Sequence, residues 1–463
     1  MDRLDVIDPE LTRVVHRDLH HDYPFVVRGE GVYLYDAAGK RYLDGSGGSS
    51  AVTAIGHGVQ EVAEAIARQA VTLAYAPTHA FTTEAVEELA RTIIQEWAPP
   101  GFAQGRVWFV SGGSEAVENA LKIALQYQRD RGKASKHLVI GRWQSYHGAS
   151  LATLAVGGNA GRRRPYQPVL PHAEHIPPCF EYRCWLGDRC PPCDLTCAHQ
   201  LERVIRQVGP ENVAAFIAEP VVGATLGAVP AAPGYFQAVR EICDRYDVLF
   251  IADEVMTGFG RTGMRFGIEH WGVRPDLIAC AKGISGGYAP LGAVIVPPEL
   301  VGEVRGRGNS FVVGHTSAGN PLSCAAGLAV LRYANAHELT INAAEVGTYA
   351  LDRLRVLQER QPIVGDVRGL GLLLGVELVR DRASKTPFPV AWQVSRRVGK
   401  ATLERGLVSY PMTGSGDGVM GDHLLYAPPL TICREQIDEL VAILDDSLTA
   451  VAQELAEVEA ARS

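Results

Sequence analysis

The chain has 463 residues, more than one simple core usually contains and enough for two domains. Hydrophobic residues make up 47% and charged residues 21%, a globular balance that excludes a disordered chain. The formal net charge of -8 argues against nucleic acid or an anionic membrane as a partner, and the amino terminus lacks the apolar core of a signal peptide. We therefore expect a cytoplasmic protein that acts on small molecules.

The first part of the chain alternates between predicted strands and helices. Residues 31–45 predict two short strands around a turn, and residues 60–71 and 83–97 have helical periodicity. A strand over 107–110 leads through a glycine turn into a long amphipathic helix. Four later apolar runs, some separated by helices, indicate an α/β fold whose mostly parallel central sheet is covered on both faces: VAAFIAEP, VLFIADEV, DLIACAKG and LGAVIVP.

The pattern changes after about residue 325. Two helices are followed by a strand pair, a further helix near 390–405 and a last helix from 434, which together predict an α+β block. We expect three regions along the chain: an amino-terminal segment over 1–55 that packs with the small domain, a large α/β domain over 56–325 and a small α+β domain over 326–463.

A glycine-rich segment raises the first functional hypothesis. Residues 251–263, IADEVMTGFGRTG, contain Gly258-x-Gly260-x-x-Gly263, the spacing of a dinucleotide-binding loop after a strand. That loop must also open a helix, whose amino terminus receives the pyrophosphate. The residues that follow have no helical period and soon reach a proline. A nicotinamide-dependent oxidoreductase is therefore only a distant alternative.

Three other features fit one cofactor better. Gly113 and Ser114 follow a strand and open a helix, an arrangement that can bind a phosphate, although Ser114 could simply cap the helix. Lys282 ends an apolar strand, where a lysine is costly unless it is paired in a salt bridge or used chemically. Asp253 ends another strand and could keep a pyridine nitrogen protonated. Together they indicate pyridoxal 5'-phosphate (PLP).

These residues lie in motifs that resemble the PLP-dependent class III aminotransferases of fold type I, in the ω-aminotransferase (amine–pyruvate) group. The resemblance covers about residues 30–440. It depends most on DEVMTGFGRTG with AKGISGGYAPLGA, and also on SGGSEA, GRWQSYHG, AEPVVG, HTSAGNP and GDHLLYAPPL.

The resemblance implies a role for each matching residue. Lys282 is then the Schiff-base lysine and proton shuttle, and Asp253 pairs with the ring nitrogen. The remaining cofactor-binding residues are Gly113 and Ser114 at the phosphate, Tyr146, His147 and Val255 at the ring, Glu219 near the ring hydroxyl, and Thr316, which reaches the phosphate of the neighbouring subunit in a homodimer with shared active sites.

The implied activity is transfer of an amino group from a primary amine or ω-amino compound to a keto acid such as pyruvate, or to an aldehyde. Two half-reactions would alternate, which gives ping-pong kinetics. The same residues would also serve an aminomutase or a decarboxylating transaminase, because one scaffold supports several outcomes.

One stretch departs from the family pattern. Many relatives carry an arginine there for the carboxylate of the keto acid, but the stretch from Leu407 to Leu430 has no arginine or lysine. Tyr410 or Met420 stands in its place. Residues 44–58, DGSGGSSAVTAIGHG, are mostly small where relatives often carry an aromatic residue. Both features predict a roomy, weakly charged substrate pocket. The run at residues 162–164, three arginines, could supply the missing cation or could be a solvated basic turn.

The cysteines are unevenly distributed. Five of the nine fall in one stretch that ends shortly before His199: Cys179, Cys184, Cys190, Cys193 and Cys197. Their spacings do not match a standard zinc finger, and prolines interrupt them. We interpret the stretch as a surface loop of free thiols, or one strained disulfide, rather than a structural zinc site, and we predict no metal.

Overall fold

The amino-terminal part is built from short strands. The computed structural model describes residues 6–7, 12–187 and 192–460 of the chain. Five strands come first: β1 (Val6–Ile7), β2 (Tyr23–Pro24), β3 (Val26–Glu30), β4 (Tyr33–Asp36) and β5 (Arg41–Asp44). The antiparallel pairing of β4 with β5 confirms the strand pair predicted over residues 31–45.

Two helices follow these strands, α1 (Gln60–Thr72) and α2 (Glu84–Thr92). Both confirm the helical periodicity of the sequence. The first turn of α2 carries Glu84 and Glu87, which interact favourably with the positive end of the helix dipole. A wider helical turn over Ile93–Trp97 extends α2 to the end of the predicted range.

A seven-stranded sheet occupies the middle of the protein. Its region contains, in chain order, β6 (Arg106–Val110), α3 (Gly113–Asp130), β7 (Leu138–Arg142), α4 (Leu151–Val156), α5 (Ala160–Arg163), β8 (Glu174–Ile176), α6 (Thr196–Val208), β9 (Val213–Ala218), β10 (Val221–Val222), β11 (Val229–Pro230), α7 (Tyr235–Arg245), β12 (Leu249–Asp253), β13 (Leu277–Ala281), β14 (Gly292–Val296) and α8 (Pro298–Gly306). The strand order is β6-β14-β13-β12-β9-β7-β8, and β14 runs antiparallel to both of its neighbours. The other pairs are parallel, which confirms the predicted α/β fold.

The strands of this sheet are covered on both faces. Every residue of β9, β12, β13 and β14 is buried, so these strands are continuous apolar runs instead of alternating ones. Since β6, β12 and β13 point in the same direction, their carboxyl ends meet at one edge of the sheet. That edge carries the candidate site.

The carboxyl-terminal part forms a second sheet with helices. Its elements are α9 (Pro321–Ala336), α10 (Leu339–Arg360), β15 (Val364–Leu370), β16 (Leu373–Leu378), α11 (Val394–Glu404), β17 (Leu407–Val408), β18 (Tyr410–Thr413), β19 (Asp422–Tyr426) and α12 (Arg434–Ala460). Strands β15-β16-β19-β18 form an antiparallel sheet, and β17 pairs with β5 of the amino-terminal strands. The exact domain boundaries stay predictions. None of the described helices combines the length and apolarity needed to cross a membrane.

Candidate active site

A cavity of about 450 Å³ opens at the carboxyl edge of the central sheet. Loops that follow several strands line it, as is usual for ligand sites in open α/β sheets. All the predicted site residues except Thr316 are in its lining: Gly113, Ser114, Tyr146, His147, Glu219, Asp253, Val255 and Lys282. Residues from separate parts of the chain therefore meet in one place.

Lys282 follows directly after β13 and lines the cavity. Its backbone is in the left-handed region with φ of 47°, which is uncommon for a residue other than glycine and is concentrated at functional sites. Burial lowers the pKa of its amine to about 8, against the opposing effect of Asp253. A lysine with such a pKa is partly neutral near pH 7, and a neutral amine is a nucleophile and a base.

Lys136 is a buried lysine with a structural role, and it can be compared with Lys282. It is also buried, and its Nζ donates to the carbonyl oxygens of Pro210, Val213 and Tyr246 at 3.0 to 3.1 Å. Lys282 Nζ has no hydrogen-bond partner in the described part of the chain. The contrast favours the chemical interpretation of Lys282 over the salt-bridge interpretation.

Asp253 ends β12 and is 3% exposed. Its Oδ2 accepts a hydrogen bond from His147 Nδ1 at 2.7 Å, and its Oδ1 accepts one from the Val255 amide at 3.0 Å. Burial alone would lower the pKa of His147, but Glu219 and Asp253 outweigh that effect and raise it. A cationic His147 would form an ion pair with Asp253 and fix the orientation of its side chain.

Glu219 is the second buried acid of the site. Its Oε1 accepts from the Tyr146 amide at 2.9 Å, and its Oε2 lies 3.2 Å from Arg142 Nη2 and 3.9 Å from His147 Nε2. The Arg142 side chain is fully buried. Arg142 was not predicted from the sequence, although a charged residue at the end of β7 is a usable signal. Arg142 is not part of the described lining, but its guanidinium holds the Glu219 side chain in place.

The amino terminus of α3 forms the concave end of the cavity. Helix α3 begins at Gly113, and Ser114 Oγ accepts from the Ala149 amide at 3.0 Å. A Cβ at Gly113 would lie 2.8 Å from Val255 Cγ1, and one at Gly148 would lie 2.8 Å from Ser114 Oγ. Only glycine fits these positions, so backbone amides stay accessible where an anion could bind.

The cavity residues fit PLP in three respects. A glycine-lined helix start can receive the phosphate, a fixed carboxylate can face the ring nitrogen, and an unpaired lysine can bond the aldehyde. Tyr146 and Val255 line the space between these groups. Tyr288, which was not predicted from the sequence, also lines the cavity, and its hydroxyl accepts a hydrogen bond from the Val59 amide at 2.8 Å.

Thr316 is not among the described residues that line this cavity. Its carbonyl oxygen accepts from the Tyr75 hydroxyl at 2.8 Å. The predicted contact with a neighbouring subunit involves a second chain, so it stays a prediction.

The glycines after Asp253 do not form a dinucleotide loop. The segment that contains Gly258 consists of turns, and no α-helix begins there. Gly260 and Gly263 have positive φ, and a Cβ on them would lie 2.8 Å from Thr340 Oγ1 and 2.9 Å from Ala344 Cα, both in α10. These glycines let the loop turn and approach α10 closely, which is a packing role.

The described lining of this cavity does not include the two candidates for the position of the family arginine, Tyr410 and Met420. Tyr410 packs against the core, and Met420 is exposed. Arg162 lies nearer, with its Cζ 4.3 Å from the centre of the Tyr146 ring.

Comparisons with known proteins agree on one family. An uncharacterized aminotransferase of Schizosaccharomyces pombe is 41% identical over 93% of this chain and 94% of its own length. The diaminobutyrate–2-oxoglutarate transaminase of Halomonas elongata is 37% identical over 97% of both chains. Among solved structures, a PLP-bound amine transaminase from an uncultivated Pseudomonas species has a TM-score of 0.85 and 36% identity, over 92% of this chain and 95% of that one.

A family model described as aminotransferase class-III matches residues 14–448, nearly the whole chain. The resemblance inferred from the sequence motifs is thereby confirmed, and so is the fold, since the structural neighbours are transaminases with high TM-scores. The chain is an enzyme that belongs to the class-III aminotransferases.

Proposed function

We propose that this aminotransferase binds PLP and moves an amino group from an uncharged primary amine or ω-amino compound to a small keto acid such as pyruvate. The observation that carries the proposal is the single cavity in which unpaired Lys282, the Asp253–His147 pair and the glycine-lined start of α3 meet. The PLP-bound amine transaminase supports it as a structural neighbour.

Each residue would have a definite task. Gly113 and Ser114 would hold the phosphate, and Asp253 would keep the ring nitrogen protonated. PLP supplies an electron-accepting ring that stabilises negative charge at the carbon next to the substrate nitrogen.

Lys282 is the base and acid of this proposal. Its lowered pKa provides the neutral amine near pH 7, and the amine can take a proton from the substrate carbon and return it elsewhere. His147 orients Asp253 through their hydrogen bond, and Glu219 fixes the backbone of Tyr146. One half-reaction would start from the amine, and the other would run the same steps in reverse with the keto acid. Alternation of the two half-reactions gives ping-pong kinetics.

The charge of the cavity bears on the substrate. Lys282 is the only lysine or arginine among the described residues that line it. An unpaired carboxylate in such a site costs several kcal/mol, on the order of the penalty for a buried charge. An uncharged amine has no such cost, whereas a keto acid needs a cation nearby.

Arg162 is the best placed cation. Its guanidinium stacks on Tyr146 and has no salt-bridge partner among the described residues, and its charge contributes to the lowered pKa of Lys282. Arg163 is buried and donates to the carbonyl oxygens of Leu154 and Gly157, so it is structural. Arg164 is exposed and serves as a control.

A second candidate is an amino-acid transaminase that uses 2-oxoglutarate. The name of the Halomonas elongata relative favours it. A dicarboxylic acceptor needs two cations, however, and Lys282 is the only lysine or arginine among the described residues that line the cavity, with Arg162 stacked on Tyr146 beside them. An aminomutase and a decarboxylating transaminase stay possible outcomes on the same scaffold.

The test compares the activity with two keto-acid acceptors and the effect of replacing each of two arginines. We expect kcat/KM for an aryl-alkyl amine to be higher with pyruvate than with 2-oxoglutarate. Arg162→Ala should raise KM for pyruvate about 10- to 100-fold, the range for losing a charged hydrogen bond. Arg164→Ala should change it little. A strong preference for 2-oxoglutarate would contradict the proposed substrate class.

The proposal includes a homodimer with two shared active sites, each completed by Thr316 of the other subunit. A cytoplasmic location also remains a prediction of the sequence.

A further inference from the structure

Three cysteines that are apart in the sequence meet in the structure. The Sγ atoms of Cys179, Cys193 and Cys197 all lie within 4.8 Å of one another. In a tetrahedral zinc site with Zn–S bonds of about 2.3 Å, neighbouring sulfurs are about 3.8 Å apart. The cluster therefore has close to the dimensions of a metal site.

The cluster lies inside the protein, and two groups beside it favour a negatively charged sulfur. Cys179 and Cys197 are 2% and 6% exposed, and Cys193 is half-buried. Cys197 lies in the first turn of α6, where the helix dipole favours a negative sulfur. The Ala232 amide donates to Cys179 Sγ at 3.3 Å, and such a hydrogen bond stabilises a thiolate that binds a metal.

The arrangement explains why the spacing of these cysteines along the chain does not match that of a zinc finger. A zinc finger takes its ligands from short regular spacings, whereas here Cys179 follows β8, Cys193 precedes α6 and Cys197 lies in the first turn of α6. Cys184 is not part of the described cluster, and Cys190 lies outside the described residues.

We propose that Cys179, Cys193 and Cys197 bind one zinc ion as thiolates. Zinc fits best because soft sulfur donors in a closed, tetrahedral arrangement are typical of structural zinc sites. The tetrahedron has room for one further donor. This replaces the interpretation of the stretch as a surface loop of thiols.

The ion would have a structural role. None of the three cysteines is among the described residues that line the active-site cavity. The loop between them carries Arg183, whose Nε lies 2.7 Å from a carboxylate oxygen of Glu377 in β16, and Tyr182, whose carbonyl accepts from Lys385 Nζ at 2.8 Å. Zinc would fasten this loop to the central sheet while the loop holds the carboxyl-terminal sheet.

Metal analysis of the PLP-loaded full-length enzyme, purified without a metal-affinity column, tests the site. We expect about one zinc per chain in the wild type, about one in Cys433→Ser, which changes an exposed cysteine elsewhere, and less than about a tenth in Cys197→Ser. Cobalt put in place of zinc should show the intense near-ultraviolet charge-transfer bands of bound thiolates. Wild-type protein without zinc, and without cobalt bands after refolding with cobalt, would overturn the proposal.

A second measurement covers the case in which Cys197→Ser does not fold. Wild-type enzyme is unfolded with a chelator and refolded with or without one equivalent of zinc. Recovery of folded protein should depend on zinc, and thiol titration of the unfolded chain should find the cysteines reduced. Full recovery without zinc, or a disulfide joining two of the three cysteines, would refute the site.

Discussion

The protonation of Lys282 gives the sharpest test of the catalytic proposal. In enzyme stripped of cofactor, the neutral amine of Lys282 must bond PLP, and burial in the cavity lowers its pKa to about 8. The rate of covalent PLP capture should therefore rise as the pH passes through about 8. An ordinary lysine would give a rise near 10.5.

The size of the effect follows from these two values. At pH 7 about one tenth of the amine is neutral with a pKa of about 8, against about one part in 3,000 with the ordinary pKa of 10.5. The cavity thus increases the reactive fraction about 300-fold, equivalent to about 3 kcal/mol.

Two variants should move the midpoint in opposite directions. Asp253 raises the pKa of Lys282 and Arg162 lowers it. Asp253→Asn should therefore shift the midpoint to lower pH, and Arg162→Ala should shift it to higher pH. Both replacements keep Lys282 itself unchanged.

The assay is stopped-flow absorbance of PLP capture by the stripped enzyme from pH 6 to 10. Equilibrium binding of PLP to Lys282→Ala measures the pH dependence of the noncovalent contacts with the phosphate and the ring, and it serves as the background. A midpoint near 10, or the same direction of shift in both variants, would show that the cavity does not tune this amine as described.

Four further outcomes are expected. Lys282→Ala should lose borohydride-reducible PLP and about 10²- to 10⁴-fold in turnover, measured with a chromogenic amine. Asp253→Asn should keep its melting temperature but lose about 10²- to 10³-fold in kcat; near-normal kcat would exclude the ring-nitrogen role. Light scattering should show a dimer, and Thr316→Val should weaken PLP binding; a fully active monomer would contradict the shared site. Gly263→Val should lower the free energy of unfolding by about 1–3 kcal/mol more than Gly272→Ala, because its new side chain meets α10 whereas the space around Gly272 is open.

Much of the fold could be predicted because local patterns dictated it. Strands that are buried on both faces are made of continuous apolar runs. This holds for four strands of the central sheet, apart from the acid that ends β12: β9, β12, β13 and β14. Charged residues at the ends of such runs are conspicuous, which is why Lys282 and Asp253 could be named from the sequence. Their predicted roles depend on the resemblance to a family as well as on this pattern.

Neighbouring acids show the limit of local patterns. Asp253 and Glu254 are adjacent, and successive side chains at a strand end point in different directions. Asp253 lines the cavity, whereas Glu254 is fully buried beside the following loop and accepts from the Gly267 and Ile268 amides at 2.8 and 2.7 Å. Burial raises the pKa of Glu254 to about 7. Which acid faces the cavity follows from the direction of the strand end.

Which of the three arginines lies near the cavity, and which cysteines come together, could be decided only by the tertiary structure. Three consecutive arginines have the same chemistry, yet only Arg162 lies against Tyr146, because helix α5 points Arg163 into the protein and leaves Arg164 in solvent. Cys179 follows β8, an edge strand of the central sheet, and Cys197 lies in the first turn of α6, so their distance is set by how α6 packs against that sheet. Composition and spacing describe neighbours along the chain, whereas charge pairing and metal binding depend on distances across it, which packing of the core determines.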